Sequence, residues 1–226
     1  MILEGLVTGV FQENCYIVGT EATKEVLVVD PGDDEDEILA VLHQNSLTAK
    51  LIVCTHSHID HIGAVEPMRE ATGAPFAMHT TNFERANAQL GMGRTMMGRE
   101  VKPLRPPETR VEDGDELAVG GLTFRVILCP GHTPGHICLY LPPQDGVPGL
   151  LFTGDVLFSG SIGRFDLPGG DGRQLLTNIR DKLLVLPDET MVLPGHGPTT
   201  SIGQEKQTNP YIQAIDQILS GKVDLL

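Results

Sequence analysis

The segment Thr55-His56-Ser57-His58-Ile59-Asp60-His61 constrains this chain more than any other. It follows the apolar run Leu-Ile-Val-Cys at 51–54, short enough for a buried strand, and it precedes residues 63–71, which read as a helix. Four side chains able to bind a cation therefore share one strand-to-helix loop. His56 and His58 alternate, so both can point toward a common ion. Asp60 and His61 turn the other way as the chain enters the helix, which lets one loop feed two adjacent sites. Imidazole and carboxylate donors suit zinc, iron, manganese or nickel, and no thiolate narrows the choice. Only 8 histidines occur in the chain, so a cluster this dense is not scattered surface polarity.

Three other runs end in a similar way. Cys129-Pro130-Gly131-His132, Phe152-Thr153-Gly154-Asp155 and Leu193-Pro194-Gly195-His196 each close an apolar stretch with a glycine and then a ligand-type residue. Glycine lets the backbone turn there, so that the side chain can project into a space shared by several strand ends. One such His or Asp alone is ordinarily structural. Beside the first segment, the three form one set.

The remaining pattern predicts strands over 5–10, 15–18, 26–30, 76–79, 116–119, 123–128, 137–141, 150–153 and 190–193. It predicts further helices over 34–44, 81–90, 174–184 and 210–220. Residues 91–107, rich in Gly, Met, Arg and Pro and without a period, predict a mobile loop. Strands and helices that recur together, many joined by hairpin-like turns, predict an α/β layered sandwich of two sheets flanked by helices. No internal repeat breaks the chain, and 226 residues suit one domain over 1–226.

Charge removes some classes of function. With 16 Lys and Arg against 30 Asp and Glu, the formal net charge of −14 repels phosphate backbones and argues against a nucleic-acid partner. The acidic run Asp33-Asp34-Glu35-Asp36-Glu37 suits the dipole-favoured first turn of the next helix better than a cation site. Cys15, Cys54, Cys129 and Cys138 lie in apolar runs without C-x-x-C spacing and read as reduced core residues. No leader-like segment and no apolar run near ~18 residues appears, so a cytoplasmic protein with no membrane contact is expected. Nothing in the pattern sets an oligomeric state.

The pattern H-x-H-x-D-H at 56–61, followed by separated His132, Asp155 and His196, resembles the metallo-β-lactamase superfamily nearly end to end. Within it, residues 131–136 (GHTPGH), 154–158 (GDVLF) through Gly163-Arg164, and 194–198 (PGHGP) resemble the glyoxalase II, or hydroxyacylglutathione hydrolase, group and its short bacterial members. The resemblance implies a four-layer αββα sandwich with the metals at the sheet edges. It implies that His56, His58 and His132 hold one ion, that Asp60, His61 and His196 hold a second, and that Asp155 bridges both. The implied cofactors are two divalent transition-metal ions, zinc first, with iron or manganese as alternatives. The implied reaction is hydrolysis of a small-molecule, glutathione-type thioester such as S-D-lactoylglutathione by hydroxide held between the ions. Asp60 and Asp155 are then the catalytic carboxylates.

A bridging carboxylate at Asp155 argues against lactamases, which in this superfamily usually lack it. Length and acidity argue against the nucleases. Two alternatives stand beside the thioester reading: a mononuclear Fe(II) persulfide dioxygenase on a closely similar residue set, and a metal-dependent binding module without a reaction. Arg164 matches a basic residue of the glyoxalase II group and is the substrate-binding candidate, while Asp166 stands where that group has a tyrosine. Residues 197–226 leave room for about one helix and its approach, in place of the helical domain that grips glutathione in that group. His43 and His79 read as structural. His136 either orients a ligand or packs, and Asp30 either buttresses the histidine loop or shapes the turn with Pro31-Gly32. The loop 91–99, with Met92, Met96 and Met97, is either an adaptable flap over the site or a packed surface connection.

Overall fold

The computed structural model describes residues 1–90, 93–144 and 146–224. Its first sheet runs in sequence order through β1 (Ile2–Thr8), β2 (Glu13–Gly19), β3 (Glu25–Val29), β4 (Thr48–Val53), β5 (Phe76–His79) and β6 (Thr109–Val111). The first three strands pair antiparallel and the rest parallel. Parallel pairing requires crossovers, which carry α1 (Glu35–Gln44), α2 (Ile59–Ile62), α3 (Val65–Thr72), α4 (Thr80–Leu90) and α5 (Gly93–Met96). The second sheet contains β7 (Glu116–Val119), β8 (Leu122–Leu128), β9 (Ile137–Leu141) and β10 (Leu150–Gly154). After the hairpin β11 (Leu157–Phe158) and β12 (Ser161–Ile162) it gains β13 (Met191–Pro194) and β14 (Thr200–Ser201), in the order β14-β13-β10-β9-β8-β7. Against it lie α6 (Gly172–Asn178), running on into a π-helical turn at Ile179–Leu183, then α7 (Ile202–Thr208), α8 (Pro210–Gln213) and α9 (Ile215–Leu219).

Strand alternation dictates the layers. Successive side chains of a strand point to opposite faces, so a strand covered on both sides is apolar throughout. In β2, Cys15 and Ile17 face the helices while Tyr16 and Val18 face the other sheet. In β4, Ile52 and Leu51 divide in the same way, as do Val28 and Leu27 in β3. In the second sheet, Leu139 and Phe152 enter the space between the sheets, whereas Cys138 and Leu151 meet the other helical layer. Three buried clusters separated by two sheets make the expected four-layer αββα sandwich. Phe152 anchors the middle one, with Tyr16 at 5.5 Å and Phe124 at 6.3 Å between ring centroids. Its truncation to Ala should cost about 3–5 kcal/mol, because the cavity would lie in a layer that cannot collapse. All four cysteines are buried and unbridged. Among the described residues, no helix is long and apolar enough to cross a membrane.

Departures from the sequence reading have local causes. The segment predicted as a helix over 210–220 is two helices, and α7 precedes them. Ser201 starts α7 by accepting the Gln204 N–H at 3.1 Å, and Asn209 starts α8 by accepting the Tyr211 N–H at 3.0 Å, with Pro210 in the first turn. Residues 202, 212, 215 and 218, all isoleucine, pack under the second sheet, so the tail completes a layer and does not reach the site. The predicted loop 91–107 contains α5, and the edge strand β6 follows it. Gly91 and Met92 lie outside the described residues. Met97 is 7% exposed and packs in the first core, Met96 is exposed, and Arg99 donates to Asp33 at 2.6 Å. The described part of this loop is therefore tied down on one side and open on the other.

Candidate metal centre

The site begins where β3 and β4 end side by side. Asp30, in left-handed backbone at φ 51°, directs both carboxylate oxygens at the next strand end. Its Oδ1 accepts the Thr55 N–H at 2.6 Å, and its Oδ2 accepts the Thr55 hydroxyl at 2.6 Å and His61 Nδ1 at 3.0 Å. Of the two uses open to Asp30, buttressing the histidine loop is the one observed.

These bonds determine where the imidazole lone pairs point. The Thr55 hydroxyl spends its proton on Asp30, so toward His56 Nδ1, at 3.1 Å, it acts as acceptor. His56 Nε2 is then left unprotonated. His61 gives its Nδ1 proton to Asp30, and His132 gives its own to the Arg164 carbonyl at 2.7 Å. His56 Nε2, His132 Nε2 and His58 Nδ1 meet at 3.3, 3.0 and 2.9 Å. Ligands about 2.0–2.1 Å from a tetrahedral zinc stand roughly 3.3 Å apart, so this spacing is that of nitrogens around one ion. Burial, then the neighbouring imidazoles, hold His56 well below its ordinary pKa and His58 down at about 4. Burial lowers His132 as well. Neutral imidazoles are the form that binds metal.

Beside this trio lies a second. His196 Nε2 is 3.3 Å from Asp60 Oδ2, and His61 Nε2 is 4.0 Å from the same oxygen. Asp155 stands between the sets. Its Oδ2 faces His132 at 3.5 Å and His56 at 4.0 Å, while its Oδ1 faces His61 at 3.4 Å and His196 at 3.7 Å. Burial opposes ionisation of Asp155, but His61, His132 and His196 outweigh it and hold the carboxyl well below its usual range. His61 is pulled the other way: despite burial, Asp155, Asp30 and Asp60 raise its proton affinity. A proton on Nε2 is one answer to that acidic surround, and a divalent cation is a stronger one.

Two glycines make the convergence possible. Gly154, at φ 46°, turns the end of β10 so that Asp155 projects. Gly195 matters for closeness: a Cβ there would lie 2.6 Å from His61 Cε1 and 2.7 Å from Asp155 Oδ1. His136 settles as a positioning residue. Its Nε2 accepts the Asp155 N–H at 3.0 Å, and its ring stacks on His56 at 4.7 Å. His79 is structural, accepting the Thr81 N–H and meeting Glu112 at 3.2 Å.

All seven sequence-derived ligand candidates thus converge. Sequence reasoning missed the groups that hold their loops. Asn14 Nδ2 donates to the Pro194 and Gly197 carbonyls at 2.9 and 2.8 Å, and Tyr16 adds its hydroxyl to Pro194, fixing the His196 loop. Glu13 is fully buried, 3.7 Å from His61 Nδ1, and burial raises its pKa. Asn82 of α4 donates to the Thr55 and Gly135 carbonyls at 3.2 and 2.5 Å, tying two ligand loops together. For Glu13 and Asn14 the available signal was a polar pair leading into the apolar run at 15–18; Asn82, in a polar helix, carried none. Arg164 lines the cleft above the centre, but its guanidinium is bound at 2.9 Å by both oxygens of Asp166, which itself stands exposed.

That cleft has a volume of about 740 Å³ and opens over His58, Asp60, His132, Asp155 and His196. Buried His61 Nε2 and Asp155 Oδ1 find no hydrogen-bond partner among the described residues. Both are acceptors once the outer nitrogens are satisfied, and unpaired buried acceptors aimed at one point fit a cation. The donor set therefore fits divalent metal ions, with His56, His58, His132 and Asp155 able to hold one and Asp60, His61 and His196 another.

Known proteins resemble this chain in sequence and fold. The metallo-beta-lactamase superfamily profile matches residues 8–196. The chain is 37% identical to the probable metallo-hydrolase YqgX of Bacillus subtilis, over 90% of this chain and 94% of that protein. It is 33% identical to the hydroxyacylglutathione hydrolase GloC of Haemophilus influenzae, over 95% of this chain and 99% of that protein. It superposes on the BLEG-1 B3 metallo-beta-lactamase with TM-score 0.83 and 37% identity, covering 93% of this chain and 99% of that one. For TTHA1623 in a di-iron-bound form the values are 0.79 and 38%, over 92% and 99%. For ETHE1 from Myxococcus xanthus they are 0.78 and 30%, over 100% and 92%. The chain belongs to the metallo-beta-lactamase superfamily.

Proposed function

We propose that this protein is a cytoplasmic, dinuclear metal-dependent hydrolase of small glutathione-type thioesters. The observation that carries the reading is Asp155, whose two oxygens face different donor trios at the floor of the cleft. Two divalent cations held there, zinc first and iron or manganese as alternatives, would supply Lewis-acid activation of water and of the thioester carbonyl. His56, His58 and His132 would hold one, Asp60, His61 and His196 the other, and Asp155 is placed to serve both. Asp60 is also placed to move a proton, since it lines the cleft and His196 keeps it ionised against the effect of burial. Phe11, Phe158 and Leu167 give the cleft wall an apolar surface for the substrate. The cleft volume lies within the range of small-molecule sites. Likeness to GloC supports the thioester as substrate class.

The likeness to ETHE1 gives some support to the second reading, an iron-dependent persulfide dioxygenase, and the likeness to BLEG-1 makes a β-lactam the third substrate to assay. The test is anaerobic thiol release from S-D-lactoylglutathione by zinc-loaded protein, beside oxygen uptake on glutathione persulfide by iron-loaded protein and nitrocefin hydrolysis. Thiol release without oxygen is expected. Oxygen uptake alone, or nitrocefin turnover alone, overturns the thioester reading.

A further inference from the structure

Two arginines line the cleft, and only one has its charge answered. Arg164 is held by both oxygens of Asp166. Arg85 has no carboxylate partner among the described residues: its Nη2 donates to the Pro168 carbonyl at 2.7 Å, and its buried Nε has no acceptor. Arg173, on the far side of the second sheet, likewise reaches only backbone carbonyls, but it does not line the cleft. Arg69, Arg99 and Arg105, near the same helical layer, each reach a carboxylate. A half-buried guanidinium offers five N–H groups, and one carbonyl satisfies only one of them. The remaining N–H groups are free to meet a ligand that enters the cleft.

The position of Arg85 is also fixed with respect to the centre. Asn82 lies three residues earlier on α4, hence on the same face, and bonds the carbonyls of Thr55 and Gly135 between the ligand loops. The opposite loop is shaped around the guanidinium, for a Cβ on Gly169, at φ 94°, would come within 3.0 Å of Arg85 Nη2. Elsewhere the wall is apolar, with Phe11, Met96, Phe158 and Leu167. Among the described residues, Arg85 is the cation an anionic group entering this cleft would find without a carboxylate partner, and a guanidinium receives a carboxylate through paired hydrogen bonds.

We propose that Arg85 is the specificity-determining residue of the cleft, reading a carboxylate on the thiol portion of the substrate. The inference rests on the thioester reading for the identity of the substrate, but its test does not require turnover. Calorimetry on the metal-loaded protein compares glutathione with its diethyl ester, for wild type, Arg85→Gln and Arg85→Lys. Wild type should prefer the free acid by about 10- to 100-fold, the scale of hydrogen bonds to charged groups. Arg85→Gln should lose that preference while binding the diester unchanged, and Arg85→Lys should recover part of it. With S-D-lactoylglutathione, Arg85→Gln should raise KM by a similar factor and leave kcat within about twofold. No preference in wild type, a preference kept by Arg85→Gln, or equal weakening of acid and ester in that variant overturns the proposal. Absence of thioester turnover in wild type would overturn the hydrolase reading instead, with the binding comparison still deciding the role of Arg85.

Discussion

His56 and His132 are buried in the loops just past strand ends, with half-buried His58 beside them, and the outer nitrogens of His56 and His132 are fixed by Thr55 and the Arg164 carbonyl at 3.1 and 2.7 Å. His196, in the neighbouring trio, keeps 28% of its side chain exposed, and its outer Nδ1 meets the Gln12 carbonyl at a longer 3.4 Å. Its partner Asp60 is 17% exposed. The first trio already has the spacing of ligands around one ion and needs no rearrangement to bind. In the second the donors stand wider apart, and two of its three residues are partly exposed. Preorganisation separates two sites made of similar residues, and it assigns tighter binding to the first.

Substitutions can break that contrast or sharpen it. Asp155→Ala should have the largest effect, because it removes the one group facing both trios: metal at both positions should fall, and kcat/KM should drop by at least about 1000-fold. His132→Ala and His196→Ala come next and should differ from each other. The first should abolish the tight class of metal in a competition titration, and the second only the weak class. Equal effects on both classes would end the distinction between the trios. Asp30→Asn should weaken both classes by about 10- to 100-fold while the fold persists by circular dichroism, since Asp30 supports His61 directly and His56 through Thr55. Asn14→Ala should weaken only the second class, by about tenfold, because it frees the loop of His196 and no other. Smallest of all, Arg164→Ala should leave metal content unchanged.

The ligands were legible because metal chemistry allows few residue types and the strand ends place them at fixed intervals. Two sheets flanked by helices were legible from the recurrence of strands and helices, and the four-layer αββα form from the family resemblance. What stayed hidden depends on contacts far apart in the chain. Asn14 meets Pro194, Asn82 meets Gly135, and Arg85 meets Pro168, and each is an ordinary polar residue until the partner loop is in place. Arg164 was legible as a cation after the bridging Asp, but its neighbour two positions on already satisfies it. The start of the tail helix at 210 was signalled by Asn209-Pro210, but apolar spacing over 210–220 carries straight through the break between α8 and α9, and α7, started by Ser201, was missed.

The central claim is that two adjacent donor trios share Asp155, and the most direct test is elemental analysis of protein saturated with zinc and then freed of excess. The account predicts close to two ions per chain, lost in two steps as chelator is added, with the first to leave coming from the His196 side. At most one ion per chain at saturation would contradict it.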